Sequence, residues 1–93
     1  MSVLRINRFF AQPHLAEDLF EFLQSILPII RSADGCESAQ LLRGKDDPHE
    51  FVLLETWDSV AAHKGSVKAI PPEKFALVLP MMAKPPTGAY YVS

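Results

Sequence analysis

Polar and apolar residues alternate from the start of the chain. SVLRINRFF (residues 2–10) interleaves β-branched and aromatic residues with polar ones, a period of two that predicts a strand. AQP then breaks the pattern. Pro13 suits a first helical position, and Glu17 and Asp18 stand where the helix dipole favours acids. Leu15, Leu19, Phe22, Ile26 and Ile29 recur at steps of three or four, so one face of a helix is apolar. Pro28 lies inside this pattern and is expected to kink it or end its regular part. Arg31 and Gly35 are stop signals.

CESAQLLR (36–43) reads as a second strand and GKDDPH (44–49) as a turn cluster. EFVLLETW (50–57) is a third strand, apolar on both faces, which implies that both faces are covered. Asp58 and Ser59 are placed to cap a short helix, VAAHK (60–64), ended by Gly65. IPP breaks the chain again. PEKFALVLPMMAK (72–84) has Phe75, Leu79 and Met82 on one helical stripe, with Pro80 as a second kink. PPTG (85–88) predicts a turn and AYYV (89–92) a last strand. The order β-α-β-β-α-β is the split βαβ arrangement, an α+β ferredoxin-like fold with a four-stranded antiparallel sheet. Helices cover one face of such a sheet, and a second copy packed sheet on sheet would cover the other.

Composition sharpens this picture. The 93 residues make one domain, spanning 1–93. A chain of this size buries only about 65% of its unfolded surface, yet 48% of its residues are hydrophobic. Some of that apolar material is expected to meet a partner, and a homodimer through the sheet faces is the simplest one. The net charge is −2 and the basic residues are scattered singly, which sets nucleic-acid binding aside. FALVLPMMA is too short to span a bilayer, and MSVLRINRFF carries charges where a signal peptide needs an apolar core. The single Cys36 excludes an internal disulfide. These features point to a cytoplasmic protein with no membrane partner.

The chemistry concentrates in LLETWDSVAAH (53–63), where Glu55, Trp57 and His63 lie at a strand-to-helix junction. The histidines at 14, 49 and 63 have no metal-ligand spacing. Taken with RINRF, ADGCESAQLL and the C-terminal GAYYV, this stretch resembles the antibiotic biosynthesis monooxygenase family of the dimeric α+β barrel superfamily. Gly35–Cys36, Glu55–Trp57 and Ala61–His63 stand where the family tends to carry comparable pairs, the last with a shorter gap. The resemblance covers nearly the whole chain. It implies two ferredoxin-like subunits with their sheets face to face, each holding a pocket between sheet and helices. Characterised members include cofactor-free oxygenases that turn phenols or anthrones into quinones.

An electron-rich substrate anion can give an electron to dioxygen directly. The protein then supplies a dry pocket, a proton acceptor and oxyanion donors. Asn7 and Trp57 match the family's Asn and Trp, and His63, which titrates near neutrality, could be the base. Those three are the catalytic candidates. Arg5 and Asn7 share one strand parity, Glu55 and Trp57 another, so a suitable register points all four at the helix side, with Arg5 and Glu55 as a cross-strand pair. Arg5, Phe22, Glu55, Phe75, Leu79 and Met82 are the expected pocket residues. The family's pocket Tyr and Arg have no clear match, and Tyr90 and Tyr91 are loose candidates.

Each residue also has a plain structural reading. Trp57 could be a core anchor, Asn7 a bulge or edge residue, His63 an exposed or capping residue, Glu55 an ion-pair member, and Cys36 a small buried residue. Three functions follow. The first is a cofactor-free monooxygenase acting on a small aromatic molecule with O2. The second is haem binding and degradation, which needs an axial histidine; haem-degrading relatives place theirs further along, where this chain has SVKAI. The third is a small-molecule binding protein or isomerase on the same fold.

Overall fold

The computed structural model describes residues 2–93. Strand β1 (Val3–Phe10) leads through a 3-10 turn into helix α1 (Ala16–Arg31), followed by β2 (Cys36–Arg43) and β3 (Glu50–Trp57). Helices α2 (Val60–Val67) and α3 (Pro72–Val78), with a 3-10 turn at Leu79–Met81, then lead to β4 (Thr87–Tyr91). The strands form one antiparallel sheet in the order β2-β3-β1-β4. This is the ferredoxin-like arrangement expected from the element order.

Registry sorts the side chains between two faces. In β3, Phe51, Leu53, Glu55 and Trp57 are buried on the helix side, while Val52, Leu54 and Thr56 are half-buried on the other. Arg5 pairs with Glu55 and Asn7 with Leu53, so Arg5 and Asn7 share the helix-side face. Helix α1 lays Leu19, Leu23, Ile26 and Ile30 into the core. The buried stripe is thus turned slightly from the one expected, leaving Phe22 and Ile29 half-buried at its margin. The end of α1 is tied to β2 by Arg31, whose Nε and Nη2 donate to the Ala39 carbonyl at 3.1 and 3.0 Å.

Several local expectations are revised. Pro28 does not end α1, which continues to Arg31. Pro28 and Gln24 are both exposed, so the carbonyl that Pro28 cannot bond faces water. Gly65 does not end α2 either. It is exposed, a Cβ there would meet nothing within 4 Å, and the helix runs on to Val67. Ser59 alone caps that helix, its Oγ accepting from the Ala62 N–H at 3.0 Å. Asp58 instead donates its backbone N–H to the Gly35 carbonyl. Gly35 has φ +87°, and a Cβ there would fall 2.6 Å from that of Ala62, so both its conformation and its space require glycine. Strand β4 begins at Thr87, because Thr87 and Gly88 pair with Arg8 and Asn7, and it ends before Val92.

The molecule measures 39 × 30 × 19 Å. The short axis holds two layers, helices on sheet. Leu4, Ile6, Val52 and Leu54 lie on a sheet face that no element among the described residues covers, with Leu42 and Tyr91 exposed beside them.

Candidate active site

Four elements converge on one end of the core. β1 presents Arg5 and Asn7, β3 presents Glu55 and Trp57, α2 presents His63, and β4 presents Tyr90, opposite Arg5 in the sheet. The side chains form a connected polar cluster. Arg5 Nε donates to Asn7 Oδ1 at 2.8 Å, and Asn7 Nδ2 donates to Glu55 Oε2 at 3.3 Å. The indole N–H of Trp57 donates to Glu55 Oε1 at 2.9 Å. His63 Nε2 lies 3.9 Å from the same carboxylate oxygen, while its Nδ1 is 2.6 Å from the Tyr90 hydroxyl. The imidazole sits edge-on to both neighbouring rings, with centroids 5.5 Å from Trp57 and 5.4 Å from Tyr90. The Arg5 guanidinium stacks 4.6 Å from the Tyr90 ring centre.

Burial sets the electrostatics. Glu55 is 2% exposed and His63 7%. Burial pushes the Glu55 carboxyl above its usual range, against the opposing effects of the Trp57 and Asn7 hydrogen bonds and the Arg5 charge. Burial likewise pushes the His63 imidazole below its usual value, and the cations Arg5 and Lys64 push it further down. Both effects favour the neutral imidazole over the imidazolium.

Arg5, Asn7, Glu55 and His63 of this cluster line a cavity of about 240 Å³ between the sheet and the helices. Most of the wall is apolar, with Phe9, Phe22, Leu23, Ile26, Ile30, Leu53, Val67, Ile70, Phe75 and Val78. Arg5, Asn7, Glu55, His63, Ser66, Thr87 and Gly88 supply its polar part. Of the expected pocket residues, Arg5, Phe22, Glu55 and Phe75 are on this wall. Leu79 and Met82 are not. Leu79 is 65% exposed, because Pro80 turns the chain out of α3 into the 3-10 segment, and Met82 packs against the core beside Ala11. Val78 and Ile70 take their places.

Of the catalytic candidates, Asn7 and His63 face the cavity. Trp57 is fully buried, its N–H is taken by Glu55, and it stands behind the wall. Arg5 and Glu55 are register partners but form no ion pair, since Nε turns to Asn7. Tyr90 and Gly88 enter the site from β4, where strand parity from either one reaches the other.

Among the described residues no three His, Cys, Asp or Glu side chains converge as a metal-binding group. Nor does the site fit a haem. The cavity of about 240 Å³ lies below the roughly 300 Å³ at which sites for larger ligands begin, too small for a porphyrin. Among the described residues no helix is long and apolar enough to cross a membrane.

The sequence model of the antibiotic biosynthesis monooxygenase family matches residues 2–71. The chain belongs to that family. Rv0793 from Mycobacterium tuberculosis is 25% identical to it, with a TM-score of 0.87 over 100% of this chain and 95% of that one. A candidate antibiotic biosynthesis monooxygenase from Bordetella bronchiseptica is 22% identical, with a TM-score of 0.83 over 99% and 96% of the two chains. A second candidate, from Nitrosomonas europaea, is 19% identical, with a TM-score of 0.87 over 99% and 89%. These last two likenesses establish the fold. No curated protein matches the chain. Membership in the antibiotic biosynthesis monooxygenase family supports a monooxygenase-type function in general terms.

Proposed function

We propose that this protein is a cofactor-independent monooxygenase that converts a small phenol into a quinone with dioxygen. The observation that carries the reading is the polar cluster of Arg5, Asn7, Glu55 and His63 on the wall of a mostly apolar cavity. The cavity lies between the roughly 150 Å³ that holds a benzene ring and the roughly 300 Å³ at which sites for larger ligands begin. It suits a flat substrate of one or two rings.

In the tautomer that donates Nδ1–H to the Tyr90 oxygen, His63 keeps a lone pair on Nε2 and takes the phenolic proton. Glu55 faces the imidazolium that forms, 3.9 Å away. Asn7 and Arg5 hold the phenolate oxygen in a site with little water, where their dipole and charge act strongly. The phenolate gives one electron to dioxygen. The resulting superoxide and aryloxyl radical join at the para carbon through a new C–O bond. Loss of the proton on that carbon, with cleavage of the O–O bond, leaves a second carbonyl and releases water. The balance is phenol plus O2 to quinone plus water. Trp57 acts here as a positioning residue, holding Glu55 through its N–H.

We infer also that two copies pack through the sheet faces carrying Leu4, Ile6, Val52 and Leu54, which supports a homodimer. The oxygenase reading is tested by supplying 1-naphthol and isotopically labelled dioxygen to protein freed of metals with chelator. The expected product is the para-naphthoquinone with one labelled oxygen, the other label appearing in water. Unlabelled quinone, or none above the blank, would overturn the reading.

A further inference from the structure

The arrangement around Arg5 bears on which small aromatics the cavity accepts. Among the described residues its guanidinium is the one Lys or Arg group on the wall. Nε is spent on Asn7, but among the described residues the two terminal nitrogens have no hydrogen-bond partner, and Arg5 joins no ion pair. No buried side-chain nitrogen or oxygen among those residues lacks a partner, so these nitrogens are accessible to solvent or a ligand, on a residue of the cavity wall. The group is also held in place. The Tyr90 ring lies against it at 4.6 Å, Asn7 fixes one edge at 2.8 Å, and Gly88 makes room for it. A methyl group at Gly88 would fall 2.7 Å from Arg5 Cζ and would also meet Nη2 and Asn7 Oδ1. Real Cβ atoms do not sit that close, so any side chain here would push the guanidinium out of its seat. A preorganised cation with a free planar fork, in an apolar slot, is a receptor for a carboxylate or another ionised oxygen group.

We propose that the cavity selects flat aromatic anions, with the ionised oxygen group bound end-on by the terminal nitrogens of Arg5 and Gly88 acting as the specificity-determining residue that leaves this seat open. This deepens the monooxygenase reading and rests on its placing of the substrate in this cavity. It narrows the substrate to a hydroxyaryl compound that carries a negative charge as it binds, and disfavours neutral polycycles.

Binding can be measured without turnover, which separates this inference from the oxygenase reading. Calorimetric titration of the intact protein with 2-naphthoate and with 2-naphthamide compares an anion with a neutral molecule of nearly the same shape. The naphthoate is expected to bind at least about ten-fold more tightly, as a charge-assisted bidentate pair allows. That preference should disappear in Arg5→Gln and shrink sharply in Gly88→Ala, with circular dichroism confirming that each variant is folded. Equal or tighter binding of the amide to the wild type overturns the proposal, and that comparison needs no variant. So does binding of neither compound at millimolar concentration, or a preference that survives in folded Arg5→Gln. Selective naphthoate binding without quinone formation from 1-naphthol or 1-hydroxy-2-naphthoate would uphold the anion seat and count against the oxygenase reading alone.

Discussion

At Glu55 a buried carboxylate accepts from Trp57 and Asn7 and faces His63. Its proton affinity is raised in the folded state by burial. Such a group contributes stability that is fully present below its unfolded value and lost as pH rises through the folded one. His63 has the opposite sense: its proton affinity is lowered, so its contribution is present above its ordinary value and lost as pH falls through the folded one. In urea unfolding, wild type should therefore gain on Glu55→Gln as pH falls from neutral toward 4.5, the ordinary value of this carboxyl. A constant difference, or one that moves the other way, would contradict this account of Glu55. Much of the residue scale was legible in the sequence. Asn7 was conspicuous as an amide inside a strand, and strand parity placed Arg5, Asn7 and Glu55 on the helix side. The ring of Trp57 could not be assigned to wall or core, because parity fixes a face but not a depth. Tyr90 was ambiguous because two tyrosines stand side by side, and only the register against Arg5 separates them.

At the scale of elements, the site depends on α2 holding His63 over the sheet. That helix is eight residues long, and helices so short are marginal without capping and packing. Ser59 Oγ receives the Ala62 N–H, while the Ser59 carbonyl receives that of His63 at 3.4 Å. Ser59→Ala should cost about 1 kcal/mol, lowering the melting temperature by about 4–8 °C in a domain of this size. An unchanged midpoint in a thermal scan would show that packing, not the cap, sets this junction. β1 and α1 were readable because their periodicities run the length of each element, and β3 because its apolar run does, whereas Thr87 and Gly88 of β4 read as a turn. α2 and α3 were read less well at their ends. Gly65 resembled a stop but merely faces solvent, and Pro80 turned the stripe through Leu79 and Met82 away from the cavity. A proline's effect depends on what packs beside it, which the linear pattern does not record.

At the scale of the whole molecule, an open apolar sheet face remains on a body two layers thick. The apolar positions on both faces of β3 carried this expectation, since one face meets the helices and the other is covered by no element among the described residues. Pairing through that face is tested by Ile6→Asp combined with Leu54→Asp, two cross-strand neighbours on it. Light scattering should report a dimer for wild type and a folded monomer or unfolded chain for the double variant. A wild-type monomer, or a dimer unaffected by the two charges, would contradict this use of the face. Identity of the substrate was beyond the sequence, because the cavity is assembled from β1, α1, β3, α2, α3 and β4 and its size is a property of their packing.

The central claim is that the polar part of the cavity wall performs oxygen chemistry on a phenol. The most direct measurement is oxygen uptake by chelator-treated protein supplied with 1-naphthol, comparing wild type with Asn7→Ala at equal folded concentration. Removing one donor to a developing oxyanion costs about 100-fold in turnover. The account predicts uptake well above the blank in wild type and near the blank in Asn7→Ala. Uptake above the blank that is equal in both proteins would contradict the assigned site, and wild-type uptake no faster than the blank would contradict the proposed reaction.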